Sequence, residues 1–243
     1  MKSIVTIIAW LAAFTAIGYY TSSTTLEIVA TTTGLLCVWL TARENLWAWP
    51  ISLVNVVCFF YMFMDVKLYA DMSLQVFFFA LSAYGWIVWA TKRGNAKVRP
   101  TRRLSRRTAL ALIVFLVAAT WAWGALLQHH TDASIPYMDA FVATLSLIAQ
   151  FLLSYKVLEN WYVWIFVDVL SIGMYFYKDL NTIALLYVVY LGIATMGLIS
   201  WRKELGNYGD GGDAAKDGTY AGEIRATAQG APVHGGDSAR GNG

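Results

Sequence analysis

Residues 159–168 read E-N-W-Y-V-W-I-F-V-D, and they open an apolar segment long enough to cross a membrane. Trp161 and Trp164 stand three residues apart, and Asp168 follows about two helical turns into the segment. A carboxylate inside the hydrocarbon layer is energetically costly, and such a group usually pairs with a partner or lines a path for a ligand. The stretch therefore predicts a membrane-spanning helix with a polar, functional face.

The composition of the whole chain is typical of a membrane protein. Of its 243 residues, 58% are hydrophobic and 14% are charged, whereas soluble domains carry about 25% charged residues. The apolar residues form eight blocks, each close to the roughly 17–25 residues that a spanning helix needs. The blocks cover residues 3–20, 25–42, 47–64, 70–90, 108–127, 138–155, 161–177 and 182–200. The pattern predicts an all-α polytopic membrane protein with eight transmembrane helices.

Basic residues are concentrated in one loop. Residues 92–107 include eight lysines and arginines and no acid. Such a patch suits nucleic acid or anionic lipid, but a cytoplasmic loop that follows the positive-inside rule explains it more simply. With this loop in the cytoplasm, both termini lie there too. We therefore expect a multi-pass membrane protein with both termini in the cytoplasm and no nucleic-acid partner.

The two ends of the chain differ from the segment between them. Residues 1–22 are predicted to form an extra N-terminal transmembrane helix. A cleaved signal peptide is the alternative, although no clear A-x-A cleavage site follows the apolar run. Residues 204–243 are rich in Gly, Ala and Asp. They are predicted to be a disordered cytoplasmic tail, because they bury too little apolar surface to offset the entropy of ordering.

The segment between the two ends contains a duplication. The motif E-N-x-x-x-W occurs at residues 44–49 and again at 159–164, an offset of 115 residues. The motif G-x-x-x-W occurs at residues 85–89 and again at 197–201, an offset of 112 residues. The two halves are therefore predicted to be repeats that differ by a gap of three residues.

The duplication sets the expected domain boundaries. A first three-helix repeat is expected at residues 23–93, a basic cytoplasmic loop with a linker helix at 94–137, and a second three-helix repeat at 138–203. Because a single linker helix separates two sets of three helices, both sets have the same orientation in the membrane. The substrate of such parallel repeats lies near the membrane midplane, between the halves.

Polar and aromatic residues inside the blocks define the predicted binding site. At 100° per residue, Trp164, Asp168, Ser171 and Tyr175 lie on one stripe of the seventh block. Indole faces attract planar cations, and a carboxylate favours positive charge, so this stripe suits a flat cation that also accepts and donates hydrogen bonds. The candidate substrate-binding residues are Asn45, Trp49, Asn55, Gln75, Gln150, Asn160, Trp161, Trp164, Asp168, Tyr175 and Tyr187.

Structural roles are an open alternative at several of these positions. Tryptophans near a membrane boundary form interfacial belts. This explanation is favoured for Trp47. Trp89 and Trp201, which lie near helix ends, are also expected to be mainly belt residues. The amide side chains inside the membrane serve equally well as hydrogen-bonding groups that join helices.

An enzymatic function finds little support in the sequence. The motifs H-E-x-x-H and G-x-S-x-G do not occur, and His129 and His130 are predicted to lie in a solvated outer loop. Cys37 and Cys58 lie inside apolar blocks and are expected to be packing residues. We therefore expect no catalytic residues, no metal and no cofactor, with a membrane-embedded enzyme as a distant alternative.

Taken together, these motifs resemble the PnuC family of bacterial nicotinamide riboside transporters. The resemblance covers roughly residues 25–203, and both halves match in order and spacing. In the second half it rests on E-N-W-Y-x-W-I-x-x-D at 159–168, Y-x-Y-K at 175–178 and L-L-Y at 185–187. In the first half it rests on W-x-W-P at 47–50, L-Y-A-D at 68–71 and L-Q at 74–75.

The resemblance implies a transporter in the bacterial inner membrane. The family is similar in architecture to the SWEET sugar transporters, is commonly trimeric, and holds facilitators for unphosphorylated vitamins. The implied function is import of nicotinamide riboside by facilitated diffusion, which supplies NAD synthesis; the implied assembly is a homotrimer. Trp161 and Trp164 would stack on the pyridinium, and Asn45, Asn160 and Gln75 would bond the carboxamide or the ribose. Thiamine, also a flat cation, is the alternative substrate.

Overall fold

The computed structural model describes residues 24–65, 69–91, 100–131, 134–177 and 181–216. These residues form seven α-helices, which run α1 (Thr25–Ala42), α2 (Ala48–Asp65), α3 (Tyr69–Ala90), α4 (Arg106–His130), α5 (Pro136–Ser154), α6 (Asn160–Tyr177) and α7 (Asn181–Lys216). The predicted N-terminal helix, most of the basic loop and the end of the tail lie outside the described residues. We call α1–α3 the first half and α5–α7 the second half.

The helices follow the apolar blocks closely. The block predicted at residues 25–42 is α1, and Pro50 lies in the first turn of α2, where proline is tolerated. Within the described residues, six of the helices are long and apolar enough to cross a membrane. The helix that falls outside this set is α6, which carries Asp168 among its buried residues. An all-helical protein with several membrane spans is therefore confirmed, while the count of eight stays a prediction.

The last helix is longer than its apolar block. The block was expected to end near residue 200 and the disordered tail to begin at Glu204, but α7 continues to Lys216. Adding a residue to an existing helix is far cheaper than starting a new one, because each further residue gains a backbone hydrogen bond. The boundary predicted at residue 204 therefore falls inside α7, while the disorder of the tail stays a prediction.

One helix lies at the centre of the packing and one at its edge. In the window that spans the membrane, 61% of the residues of α5 are buried, against 11% for α4. In the first half α1 packs on α2 and α2 on α3, and in the second half α5 packs on α6. In addition α4 packs on α5, and α3 packs on α5 to join the halves. The face of α5 therefore supplies much of the surface on which the two halves meet.

The loops at residues 43–47 and 155–159 share one backbone conformation. Glu44 and Lys156 adopt positive φ angles of 56° and 55°, in the left-handed region that favours glycine. Each loop closes the preceding helix with a pair of backbone bonds in the Schellman pattern. The N–H groups of Glu44, Asn45, Lys156 and Val157 donate to the carbonyls of Thr41, Leu40, Leu153 and Leu152, respectively. We call the end of the bundle that carries these two loops the basic end.

Candidate functional site

The structure relates the two halves by a single offset. Trp49 lies against Gly85, and Trp161 lies against Gly197 in the same way. Trp49 and Trp161 are 112 residues apart, and so are Gly85 and Gly197. Glu44 and Lys156 are separated by the same 112 residues. These contacts and loop angles therefore recur at 112 residues, whereas the E-N-x-x-x-W motif recurs at 115, and the repeat itself stays a prediction.

An offset of 112 residues changes which candidate residues have an identical counterpart in the other half. The counterpart of Trp161 is Trp49, so Trp161 belongs to a feature that both halves carry. The positions that differ between the halves are Trp164 and Asp168, which correspond to Ser52 and Val56. Asymmetric residues on the inner side are the better candidates for recognising an asymmetric ligand.

Four tryptophans form a buried chain between the halves. Trp49 meets Trp89 edge to face at 5.2 Å, and Trp161 meets Trp201 edge to face at 5.4 Å. The rings of Trp89 and Trp201 lie 5.5 Å apart and join the two pairs. Because Trp89 is 1% exposed and Trp201 is fully buried, the prediction that they are mainly belt residues is wrong.

Each of the two central tryptophans also donates a hydrogen bond to a backbone carbonyl of the other half. The Trp89 indole donates to the carbonyl of Leu153 at 3.1 Å, and the Trp201 indole donates to the carbonyl of Thr41 at 3.3 Å. These carbonyls lie in the last turns of α5 and α1, where they also accept the backbone N–H groups of Lys156 and Glu44. Each indole therefore binds the second lone pair of a carbonyl that closes its helix. Trp47, by contrast, is 68% exposed, as a belt residue would be.

A polar layer lies about one to two turns deeper than the tryptophans. Ser52 and Ser82 share a hydrogen bond of 3.1 Å between their hydroxyls. The Gln150 amide donates to the Ser82 hydroxyl at 3.1 Å, and the Ser154 hydroxyl donates to the Leu81 carbonyl at 2.9 Å. These bonds connect α2 and α3 to α5, so Gln150 joins the halves through a satisfied polar contact.

Asn55 lies in a contact between helices of the first half. Its amide donates to the carbonyl of Ala30 at 2.6 Å and to the hydroxyl of Thr33 at 3.1 Å. A Cβ built on Gly34 would lie 2.7 Å from the hydroxyl of Tyr190. Glycine therefore allows α1 and α7 to approach each other beside Asn55, and this amide serves helix packing.

The acidic cluster lies on the inner side of the second half and consists of Asp168, Ser171, Tyr175, Tyr187 and Tyr190. Asp168 is 4% exposed, Ser171 is fully buried, and the Ser171 hydroxyl has no hydrogen-bond partner among the residues that the structure describes. The rings of Tyr175 and Tyr187 stack at 5.3 Å, and Tyr190 meets Tyr187 edge to face at 5.8 Å. Asp168 interacts electrostatically with the phenols of Tyr187 and Tyr190.

The other candidates occupy different environments. Asn45 is exposed, and its side-chain oxygen accepts from the backbone N–H of Trp47 at 3.0 Å, which fixes the start of α2. The Asn160 amide donates to the carbonyl of Val157 at 2.6 Å, while its buried oxygen has no partner in the described part of the chain. Gln75 is buried at 8% exposure. Trp164 is half-buried and packs against the apolar cluster of Val142, Leu145 and Val167.

Two functional residues were missed by the sequence analysis. Lys156 was not singled out in the sequence, yet it is completely buried. Tyr190 was not considered, although it stands three residues after Tyr187 and so shares its helix face. A sequence signal existed for Tyr190 but not for Lys156, since a lysine at a helix end normally reaches solvent.

Other features of the described residues bring no reactive groups together. No cluster of three or more His, Cys, Asp or Glu side chains that suits a metal ion occurs there. Cys37 and Cys58 are free thiols, and His129 and His130 lie in the last turn of α4, not in the loop that was predicted. An apolar cavity of about 290 Å³ lies between α4 and α5 and is lined by none of the candidate residues.

Comparison with known proteins gives a consistent result. The family model of the nicotinamide mononucleotide transporters matches residues 24–203. The chain is 27% identical over 202 residues to the nicotinamide riboside transporter PnuC of Escherichia coli, covering 72% of this chain and 84% of that protein. It is 25% identical over 181 residues to the riboflavin/roseoflavin transporter RibM of Streptomyces davaonensis, covering 72% and 83%.

A solved structure has the same fold. The chain is similar to the crystal structure of the vitamin B3 transporter PnuC, with a TM-score of 0.69 and 24% identity, over 85% of this chain and 93% of that one. The family match spans the whole described bundle from α1 to the end of the compact unit at Lys203. The chain therefore belongs to the nicotinamide mononucleotide transporter family, the family of the PnuC transporters.

Proposed function

We propose that this multi-pass membrane protein imports nicotinamide riboside. The observation that carries the proposal is the environment of Asp168. Among the described residues this carboxyl group is buried in α6, lies near enough to the phenols of Tyr187 and Tyr190 to interact with them electrostatically, and forms no ion pair with lysine or arginine. A carboxylate in that setting lacks a compensating positive charge, and a cationic ligand supplies one.

The chemistry around Asp168 fits the parts of nicotinamide riboside. The pyridinium ring carries the positive charge, and the stacked pair of Tyr175 and Tyr187 offers aromatic faces of the kind that attract cations. The unpartnered hydroxyl of Ser171 and the buried amide of Gln75 suit the carboxamide or the ribose hydroxyls. In this assignment Trp164 is a further candidate for stacking, while Trp161, Asn55 and Asn45 hold the structure.

The path and its orientation are also proposed. We assign α1–α3 and α5–α7 as parallel repeats joined by α4, since their loops, glycines and tryptophans recur at the one offset of 112 residues. The basic end faces the cytoplasm under the positive-inside rule. Substrate moves by facilitated diffusion as the two halves rock about the site and then supplies NAD synthesis. A homotrimer is the expected assembly.

The relatives favour transport over catalysis, but they do not choose one substrate. PnuC is named for nicotinamide riboside and RibM for riboflavin and roseoflavin. Thiamine, the alternative suggested by the sequence, is a flat cation like nicotinamide riboside, whereas riboflavin is uncharged. A carboxylate at position 168 discriminates between cationic and neutral rings but not between the two cations.

A binding panel tests the proposal. Nicotinamide riboside, thiamine and riboflavin are titrated into the detergent-purified protein and into the Asp168→Asn variant, with Asp139→Asn on α5 as the matched control. We expect nicotinamide riboside to bind best, and Asp168→Asn to weaken it by about tenfold or more, the equivalent of about 1.4 kcal/mol. Tighter binding of thiamine or riboflavin would overturn the substrate, and an unchanged affinity in Asp168→Asn would overturn the site.

A further inference from the structure

Lys156 is buried at the basic end between aromatic rings and an acid. Its ammonium group lies 2.8 Å from a carboxylate oxygen of Glu44. It also lies 5.4 Å from the centre of the Trp89 ring and 5.6 Å from the centre of the Trp201 ring, within range of cation–π attraction. The lysine belongs to the second half and Glu44 and Trp89 belong to the first, so one side chain connects both.

Glu44 and Lys156 occupy equivalent positions, which explains why they meet. Both stand at positive φ in the same loop, 112 residues apart. The rings over the ammonium, Trp89 and Trp201, are separated by the same 112 residues. Equivalent residues of two parallel repeats meet at the axis that relates them. Identical charged residues there would repel each other, whereas the opposite charges of Glu44 and Lys156 attract each other.

The backbone at both positions is unfavourable for a residue with a side chain. A residue other than glycine is held in this sparsely populated conformation only at an energetic cost that the surrounding structure must offset. Glycine would relieve this strain in each loop but would remove the side chains that meet. The strain at Glu44 and Lys156 therefore indicates a contact with a role beyond capping the helices.

An ion pair suits a contact that opens and closes. A buried ion pair is weak evidence for stability, because apolar replacements of similar size are often neutral or stabilising. When such a contact separates, water hydrates both charges, whereas the separation of an apolar contact exposes surface that water disfavours. The Glu44 side chain is already 20% exposed, so water reaches one edge of the contact.

The loop that carries Lys156 is anchored on its other side. The backbone of Arg102 donates to the Lys156 carbonyl at 3.0 Å and accepts from Leu158 at 2.9 Å. The Glu159 carboxylate accepts from the backbone N–H of Leu104 at 2.9 Å and pairs with Arg103 at 3.6 Å. This segment holds the Lys156 loop to the chain before α4. The loop reaches the first half through the contact between Lys156 and Glu44 and through the bond of 2.9 Å from the Tyr84 hydroxyl to the Tyr155 hydroxyl.

We propose that Glu44 and Lys156, enclosed by Trp89 and Trp201, form a latch that closes the basic end of the path between the halves and separates in every transport cycle. The latch rests on the proposed function, because it gates that same path. The buried tryptophans lie directly beneath it, and the polar layer of Ser52 and Ser82 lies deeper still. Opening the latch is the step that connects the polar layer to the compartment facing the basic end.

Locking the contact distinguishes a latch from a purely structural ion pair. Cysteines are introduced together at Glu44 and Lys156, and they are joined by a short bifunctional thiol reagent with a cleavable link. Wild-type protein, which retains Cys37 and Cys58, receives the same reagent as control. We expect uptake into liposomes to fall by about tenfold or more on linking, binding in detergent to stay within about threefold, and cleavage to restore uptake. Normal uptake by the linked protein, or loss of binding with uptake, would overturn the latch.

Charge reversal provides a second test that does not depend on linking. Glu44→Lys and Lys156→Glu each place like charges together, and the double variant restores opposite charges at equivalent positions. We expect each single variant to lower both the melting temperature and uptake, and the double variant to recover both. Equal behaviour of single and double variants would contradict the pairing. Failure of the proposed substrate looks different: wild-type protein would not bind nicotinamide riboside, while the melting temperatures would still follow the charge pattern.

Discussion

The Trp161 ring lies so close to Gly197 that a Cβ built on this glycine would fall 2.6 Å from the indole. We therefore expect Gly197→Ala to lower the free energy of unfolding by about 1–3 kcal/mol, because an added methyl group in a packed contact forces its neighbours apart. Thermal unfolding in detergent measures the change. On the same helix, a Cβ on Gly192 meets nothing within 4 Å, so Gly192→Ala is the matched control. Equal losses from both variants would contradict the proposed contact.

The hydroxyl of Ser82 forms one of the hydrogen bonds by which the polar layer joins α3 to α5. Ser82→Ala removes the acceptor of the Gln150 amide and the partner of Ser52. We expect a loss of stability of about 0.6–1.7 kcal/mol, the range measured for hydrogen bonds between membrane helices. Ser146→Ala serves as control, because the Ser146 hydroxyl donates within its own helix to Val142. A larger loss from the control, measured by thermal unfolding, would argue against the layer.

Two tryptophans of α6 are expected to respond differently to alanine. Trp161 is 1% exposed, and its removal is expected to cost about 3–5 kcal/mol of stability through the cavity it leaves. Trp164 is half-buried, and Trp164→Ala is expected to fold while nicotinamide riboside uptake falls by about tenfold or more, the equivalent of about 1.4 kcal/mol. Melting curves and uptake into liposomes separate the two effects. Normal uptake by folded Trp164→Ala would remove this residue from the site.

Asn55 is expected to contribute to packing and not to substrate binding. Asn55→Leu keeps a similar volume but loses the bonds to Ala30 and Thr33. We expect stability to fall by about 1 kcal/mol or slightly more, as for other bonds between membrane helices, with unchanged substrate affinity in a titration. Thr33→Val leaves the bond from the Asn55 amide to the Ala30 carbonyl intact, so this variant should lose less stability. Weaker binding by Asn55→Leu with normal stability would return Asn55 to the substrate site.

The sequence by itself determined the helices. The block at residues 25–42 became α1 and the block at 161–177 became α6 with a shift of one residue at its start. The physical reason is that a chain crossing a membrane must satisfy its backbone hydrogen bonds within each segment, so the length of an apolar block fixes a helix. The sequence also located Asp168, because a carboxyl group in such a block stands out against its surroundings.

Only the tertiary structure decided how the helices face one another. Lipid and protein interior are equally apolar, so the sequence does not distinguish a tryptophan in the belt from one in the core, and Trp89 and Trp201 were misassigned. The offset at which contacts recur depends on which loop residue takes the positive φ, and E-N-x-x-x-W gave a letter match at 115 residues where the contacts recur at 112. Lys156 became significant only when the second half brought it between two indoles and Glu44, because a charge is stable there only with those partners in place.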